Sequence, residues 1–208
     1  MRIGVFGCSW SRGMPYLCNH GNWVLELSKI KPDWQFVNFA TNGTCANFSL
    51  HNYYISKGNF DFVIFQGSSV GRLTHIPPTW DPYSHIVKPT DNYRETIEKK
   101  WIKGIVTNQL KRPNDGYYKE MYKKYPYWTE TLISNYSLMD SVGNLFFTHR
   151  NRDANLYKDY TGKTVLSIEG LVGAESFKEY VEDDGGHFGL TGQKIQAKLI
   201  GDIIDESN

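Results

Sequence analysis

Apolar residues in the first third of the chain form two alternating kinds of segment. Short continuous runs, typical of buried strands, are followed by longer segments whose apolar positions recur at helical spacing. Strands are predicted at Arg2–Phe6, Trp34–Phe39 and Phe60–Gln66. Helices are predicted from Trp23 to near Pro32 and from Cys45 to Ile55. Strands separated by helices of about 10–15 residues need crossover connections, so the sheet is expected to be parallel.

The alternation stops after the third predicted strand. Residues 70–115 contain five prolines and scattered aromatic residues, without a strand or helix period. Such a long irregular segment is usually functional or disordered. Helical spacing resumes over Tyr117–Asp140, with a bend expected at Pro126. The remaining predicted elements are strands at Asn144–Thr148 and Val165–Ile168 and a final helix from Leu190 to Ile204.

These elements predict a single α/β domain over residues 1–208, with an aromatic-rich insertion at about 70–115. The expected architecture is a three-layer α/β/α sandwich around a central, mainly parallel five-stranded sheet. A chain of 208 residues with 40% apolar residues is large enough to build such a core.

Composition and charge argue against a membrane or a nucleic acid as the partner. No apolar run approaches the roughly 18 residues of a membrane-spanning helix. The first residues, 1–7, also contain too few apolar residues in a row for a signal peptide. Because the net charge is only +1, no overall field attracts the chain to nucleic acid or to a membrane surface.

The cysteines and the frequencies of Asn, Lys and Tyr bear on the location of the protein. Cys8, Cys18 and Cys45 form an odd set without a Cys-x-x-Cys pair, so we interpret them as reduced thiols rather than disulfides or zinc ligands. Frequent Asn, Lys and Tyr are typical of an AT-rich bacterial or viral genome. A cytoplasmic or virion-associated location is therefore expected.

Polar loops rich in Gly and Ser follow the first three predicted strands. Open parallel sheets bind their ligands at the carboxyl ends of the strands. Nucleophilic acyl transfer needs a hydroxyl group, an imidazole base, an acid that orients it, and donors for the oxyanion. The loops that together contain these groups are 7–11, 42–44, 67–72 and 183–188.

The order of these motifs resembles the SGNH hydrolase superfamily, also called GDSL esterases. In that family a Gly-Asp-Ser motif follows the first strand, a Gly and an Asn in later blocks complete the oxyanion hole, and Asp-x-x-His lies near the end. Gly7-Cys8-Ser9 matches the first block, Gly43 the second, and Asp184-Gly185-Gly186-His187 the last. The resemblance implies the flavodoxin-like fold of that family.

The resemblance also implies roles for these residues. Ser9 would be the nucleophile, His187 the base and Asp184 the acid that orients it, without a metal or a cofactor. The oxyanion hole would use Ser9, Gly43 and Ser69. The family has Asn where this chain has Ser69, and losing one such donor lowers a rate by about 10²–10³. Gln66 or Arg72 could bind the substrate there instead.

Three alternatives stay open on the residues alone. Asp183 competes with Asp184 as the acid, and Cys8 competes with Ser9 as the nucleophile. Residues 67–71 also fit Gly-x-Ser-x-Gly, the nucleophile elbow of α/β-hydrolases. That elbow needs a helix directly after it, and Pro77-Pro78 argues against one.

The aromatic residues of the insertion and the following segment suggest the substrate. They either fill the core or form a wall that stacks on sugar rings. We expect Trp80 and Trp101 to bind a glycan, and the function to be removal of acetyl or another small acyl group from a carbohydrate. The ten aromatic residues concerned are Trp80, Tyr83, Tyr93, Trp101, Tyr117, Tyr118, Tyr122, Tyr125, Tyr127 and Trp128.

Two other function classes compete with the esterase. A non-hydrolytic, SGNH-like glycan-binding or virion-associated protein would explain the altered third block. A nucleic-acid binder could use residues 93–125, which hold nine basic and four acidic residues, although such a stretch is usually a solvated helix face. The expected partner is a small-molecule or glycan ester, not nucleic acid or membrane, and the oligomeric state is left open.

Overall fold

The computed structural model of the protein describes most of the chain outside the insertion. The described residues are 1–12, 22–41, 43–56, 58–68, 72–75, 106–109, 128–181 and 187–207. The strands are β1 (Arg2–Phe6), β2 (Gln35–Asn38), β3 (Phe62–Gln66), β4 (Arg72–His75), β5 (Val106–Gln109), β6 (Leu145–Thr148) and β7 (Leu166–Ser167). The helices are α1 (Ser9–Arg12), α2 (Trp23–Ile30), α3 (Ala46–Ser56), α4 (Trp128–Val142), α5 (Asn151–Thr161), α6 (Ile168–Val172), α7 (Ala174–Tyr180) and α8 (Leu190–Glu206).

The central sheet has five strands in the order β2-β1-β3-β6-β7. Every neighbouring pair is parallel. The α/β class and the parallel five-stranded sheet predicted from the sequence are thus confirmed. The chain places β2 on one side of β1 and β3 on the other, so the direction of winding changes at β1. Open α/β sheets bind ligands at such a switch point.

Alternating side chains of the central strands build one apolar core on each face of the sheet. Phe62 and Ile64 of β3 belong to the core that includes residues of α2 and α8, such as Trp23 and Ile200. Val63 and Phe65 belong to the other core, which includes residues of α3, α4 and α5. Because helices cover both faces, the predicted three-layer sandwich is also confirmed.

The structure contains regular elements where the sequence pattern predicted none. Within residues 70–115, β4 and β5 form a separate antiparallel pair. Helices α5, α6 and α7 were also missed. The first buries only Asp153, Ala154 and Tyr157, too few for a clear apolar period, and the other two are only five and seven residues long. The bend expected at Pro126 lies outside the described residues.

Two sequence expectations about the environment can be compared with the structure. Within the described ranges, no helix combines the length and apolarity that crossing a membrane would require. Cys8 is a buried free thiol, and Cys45 is buried as well. Cys18 lies outside the described residues.

We expect truncation of Ile64 to destabilise the protein strongly. Its side chain is fully buried in the central strand, so Ile64→Ala should lower the free energy of unfolding by about 2–5 kcal/mol and Ile64→Val by about 0.5–1.5 kcal/mol. Urea unfolding followed by circular dichroism measures both values. The control is Leu171→Ala, at a residue that is 42% exposed. Equal losses in the Ile64→Ala and Leu171→Ala variants would contradict this account of the core.

Candidate active site

A tight turn follows β1 and carries Ser9 at the carboxyl edge of the sheet. Gly7 and Cys8 leave the strand, and Ser9 begins the short helix α1. The backbone N–H groups of Ser11 and Arg12 donate to the Cys8 carbonyl at 3.0 Å each. The Ser9 side chain therefore lies on a closed turn rather than on an extended loop.

The side chain of Gln66, at the end of β3, holds this turn by hydrogen bonds. Its Oε1 accepts hydrogen bonds from the Ser11 hydroxyl at 3.0 Å and from the Cys8 backbone N–H at 3.4 Å. Its Nε2 donates to the Gly67 carbonyl. The Ser11 hydroxyl also accepts the indole N–H of Trp23 at 3.1 Å. A buried amide with its donor and acceptor both used is a rigid support.

The close approach of Gln66 explains why a glycine occupies position 7. A Cβ atom on Gly7 would lie 2.9 Å from Gln66 Oε1 and 3.0 Å from Ser11 Oγ. Both contacts are tight, so a larger residue would push the Gln66 or Ser11 side chain out of its present hydrogen bonds.

The loop after β2 is joined to the same turn. The backbone N–H of Thr41 donates to the Gly7 carbonyl at 3.1 Å, and the Thr44 hydroxyl donates to the Thr41 carbonyl at 2.7 Å. Gly43 lies between them with a φ of 74°, in the left-handed region that favours glycine. This geometry holds the Gly43 segment beside the first loop.

The structure brings Ser9 and His187 into contact, although 178 residues separate them. The Ser9 Oγ lies 2.7 Å from His187 Nε2. Ser9 is only 4% exposed, and His187 is partly buried. Cys8, the rival nucleophile, instead turns its thiol into the core, 3.6 Å from Gln66 Oε1. The geometry therefore favours Ser9 over Cys8 as the group that an imidazole base can activate.

His187 is positioned by the residue that follows it. Phe188 is fully buried, and its ring contacts those of Phe177 and Tyr180. An isolated bridge joins Phe188 to Val181. A Cβ atom on Gly192 would lie 2.7 Å from the Phe188 ring, so the glycine permits this packing. Because Phe188 is anchored in the core, His187 is held at its edge.

A second histidine and a tryptophan pack beside the pair. The Trp10 ring centroid lies 5.3 Å from that of His187 and 3.9 Å from that of His149. His149 Nε2 is 3.1 Å from Gln196 Oε1. The pKa of His149 is lowered to about 3, chiefly because the ring is buried; the hydrogen bond to Gln196 opposes this lowering, and the charges of His187 and Arg150 add to it. His149 is therefore neutral near pH 7. No sequence pattern predicted that His149 lies beside Ser9 and His187. Trp10 could have been predicted there, because it directly follows Ser9 in the sequence.

The third loop, after β3, is held by the core on the other side of the sheet. The Gly67 N–H donates to the Phe147 carbonyl at 2.8 Å. The Tyr136 hydroxyl donates to the Ser68 carbonyl, and burial raises the pKa of that phenol well above its usual value. After residues 67–71 the chain forms β4 rather than a helix. The alternative of an α/β-hydrolase elbow, which needs a helix there, does not fit.

Several of the predicted site residues lie outside the described residues. For Arg72 the structure describes only the backbone, within β4. Gln66 is buried and bonded to the Ser9 turn, which makes it a support of that turn rather than the substrate-binding group that was expected. The residues outside the described ranges are Asp183, Asp184, Ser69, Trp80 and Trp101.

The described groups have the chemistry of an activated hydroxyl. A serine within hydrogen-bond distance of an imidazole is the arrangement from which a base can take the hydroxyl proton. In the described part of the chain, no three His, Cys, Asp or Glu side chains cluster as metal ligands would.

Comparison with known proteins finds no family model that matches the chain and no curated protein that is similar to it. The functional interpretation therefore depends on the geometry of the site and on the motif resemblance.

We expect Gln66→Met to destabilise the protein by about 2 kcal/mol, because the Cys8 N–H and the Ser11 hydroxyl would lose their buried acceptor. Urea unfolding measures the loss. Gln35→Met, at an exposed position of the neighbouring strand β2, is the matched control and should change stability by less than about 0.5 kcal/mol. An equal effect of both substitutions would contradict the role given to Gln66.

Proposed function

We propose that this protein is a serine esterase of the SGNH type that removes acetyl or another small acyl group from a carbohydrate. The observation that carries the proposal is the 2.7 Å contact between Ser9 Oγ and His187 Nε2. It occurs at the carboxyl edge of a parallel sheet, beside the strand where the winding direction changes. That is where an α/β enzyme binds its substrate.

In the proposed reaction Ser9 Oγ attacks the acyl carbon of the ester. As the new C–O bond forms, the hydroxyl proton passes to His187 Nε2, and a tetrahedral oxyanion develops on the former carbonyl oxygen. His187 then donates the proton to the leaving alcohol, and an acyl group remains on Ser9. A water molecule, deprotonated by His187, releases the acid and restores the serine.

The oxyanion would be bound by backbone N–H groups of the two joined loops. Ser9 and Gly43 are the proposed donors, supported by the hydrogen bond between Thr41 and Gly7 that links these loops. Ser69 is the proposed third donor and Asp184 the proposed acid that orients His187. The support for these two is their place in the sequence motifs.

The carbohydrate part of the proposal is supported by the aromatic composition of the insertion, with Trp80 and Trp101 as the residues that would stack on sugar rings. We propose a cytoplasmic or virion-associated location. Its support is Cys8, a buried free thiol, which agrees with a reducing compartment.

A second candidate function is glycan binding without hydrolysis. The observation that favours it is Ser69 at the position of the family Asn, since a shorter side chain there weakens the oxyanion hole. Incubation with an acetylated oligosaccharide followed by intact-mass spectrometry distinguishes the two functions. An acetyl group found on Ser9 excludes the non-hydrolytic function, whereas saturable binding without acylation or turnover supports it.

We expect Ser9→Ala to lower kcat/KM for 4-nitrophenyl acetate by about 10³-fold or more, because the nucleophile is lost. Cys8→Ala should stay within about tenfold of the wild type, since its thiol faces the core. Ser141→Ala, at an exposed serine of α4, is the control for loss of an unrelated hydroxyl. Equal turnover by the wild type and Ser9→Ala would show that Ser9 is not the nucleophile.

The carbohydrate specificity has its own test. Trp80→Ala and Trp101→Ala should reduce deacetylation of an acetylated oligosaccharide roughly tenfold, if each ring contributes about 1.4 kcal/mol of stacking. Turnover of 4-nitrophenyl acetate should change much less, because that ester has no sugar to stack. The control is Trp34→Ala. Trp34 directly precedes β2, so it lies at the amino end of that strand, whereas Ser9 follows the carboxyl end of β1. Parallel losses on both substrates would assign the two tryptophans to structure instead.

A further inference from the structure

The indole of Trp10, itself mostly buried, lies against the imidazole of His187, which is partly buried. The two ring centroids are 5.3 Å apart and the ring planes meet at 35°. Trp10 is 8% exposed. A cation within about 6 Å of the face of a tryptophan ring is attracted by the ring quadrupole, and the attraction is strongest where water is excluded.

The position of Trp10 on the chain links this contact to the proposed reaction. Trp10 directly follows Ser9 in α1, so the same short helix carries the nucleophile and the ring beside the base. When His187 takes the Ser9 proton, it becomes an imidazolium cation. The charge therefore develops next to the Trp10 ring.

His149 supports that ring from within the core. It stacks on Trp10 at a centroid distance of 3.9 Å and is itself held by Gln196 of α8. Its Nδ1 has no hydrogen-bond partner in the described part of the chain. Because burial lowers the pKa of His149 to about 3, it adds no second positive charge beside Trp10 near neutral pH.

We propose that Trp10 acts through His187 as a positioning residue whose ring face stabilises the imidazolium form, with His149 holding the ring in place. As a statement about catalysis, this rests on the proposed esterase function. Stabilisation that appears only when the proton has moved favours the transition state over the bound substrate.

Other ionisable groups lie on the elements around this cluster or next to His187 in the sequence. They include His149 and Arg150 after β6, whose guanidinium lies over the Phe177 ring, and Tyr180 of α7, which contacts Phe188. Asp183 and Asp184 precede His187 in the sequence. Substitution of Trp10 alone leaves all of these groups in place, so a change in His187 protonation in that variant reports on the ring.

The test follows the Cε1 proton of His187 by NMR as the pH is varied, without substrate. The signal is assigned by its loss in His187→Gln. In Trp10→Leu the midpoint of the titration should move to lower pH by roughly 0.5–1.5, because the cation loses its aromatic neighbour. Trp10→Phe should move it by less. Trp34→Leu, which removes a tryptophan that lies against Lys31, should leave it unchanged.

An unchanged or higher midpoint in Trp10→Leu would overturn the proposal. A second form of the titration does not depend on folding of Trp10→Leu. It uses protein with 5-fluorotryptophan at all six tryptophan positions, because fluorine keeps the shape of the ring and weakens the negative charge on its face. The midpoint should then fall in the wild-type sequence but not in Trp10→Phe. An equal midpoint with and without fluorine in the wild-type sequence would also overturn it.

Failure of the inference can be told apart from failure of the proposed function. The titration needs no turnover, so it is read even if the protein hydrolyses no ester. If the esterase proposal holds, Trp10→Leu should also lower kcat for 4-nitrophenyl acetate roughly tenfold with little change in KM. Loss of hydrolysis in Ser9→Ala with a normal kcat in Trp10→Leu would reject the role of Trp10 alone.

Discussion

The carboxamide of Gln66 is the contact on which the rest of the site depends. It lies at the end of the central strand and accepts hydrogen bonds from the turn that carries Ser9. Its proximity also favours glycine at position 7. The Gly7 carbonyl in turn accepts from Thr41 and so aligns the second loop. A polar group placed inside the core thus sets the geometry of two loops at the edge of the sheet.

Apolar packing helps to hold the segment that carries His187. Its neighbour Phe188 is buried in the core and contacts Phe177 of α7. Hydrogen bonds thus hold the turn of Ser9, and an anchored aromatic side chain holds the residue next to His187. Hydrogen bonds restrict direction, whereas packing restricts position, and a contact of 2.7 Å between the two groups needs both. Trp10 takes part in both the Ser9 turn and the aromatic packing, since it follows Ser9 in the chain and its ring packs on His149.

The centre of the sheet was predictable because β1, β3 and β6 are largely buried and appear as apolar runs. The loops that follow β1 and β3 were predictable for the same reason, since they begin where such runs end. The helices α6 and α7 were not, because they are too short to show a period. The support by Gln66 and the stacking of His149 on Trp10 depend on side-chain directions across neighbouring elements. No local spacing encodes those directions, although the final Gln of the run Phe62–Gln66 was a visible signal of a buried polar role.

The long sequence separation between Ser9 and His187 has a consequence for biosynthesis. Residue 187 follows residue 9 by 178 positions, and the helix that comes next, α8, packs on α2 through apolar residues such as Ile200. During translation the serine emerges well before its partner imidazole. The contact between Ser9 and His187 can therefore form only after residue 187 has been synthesised, and it joins the first strand region to a segment made much later.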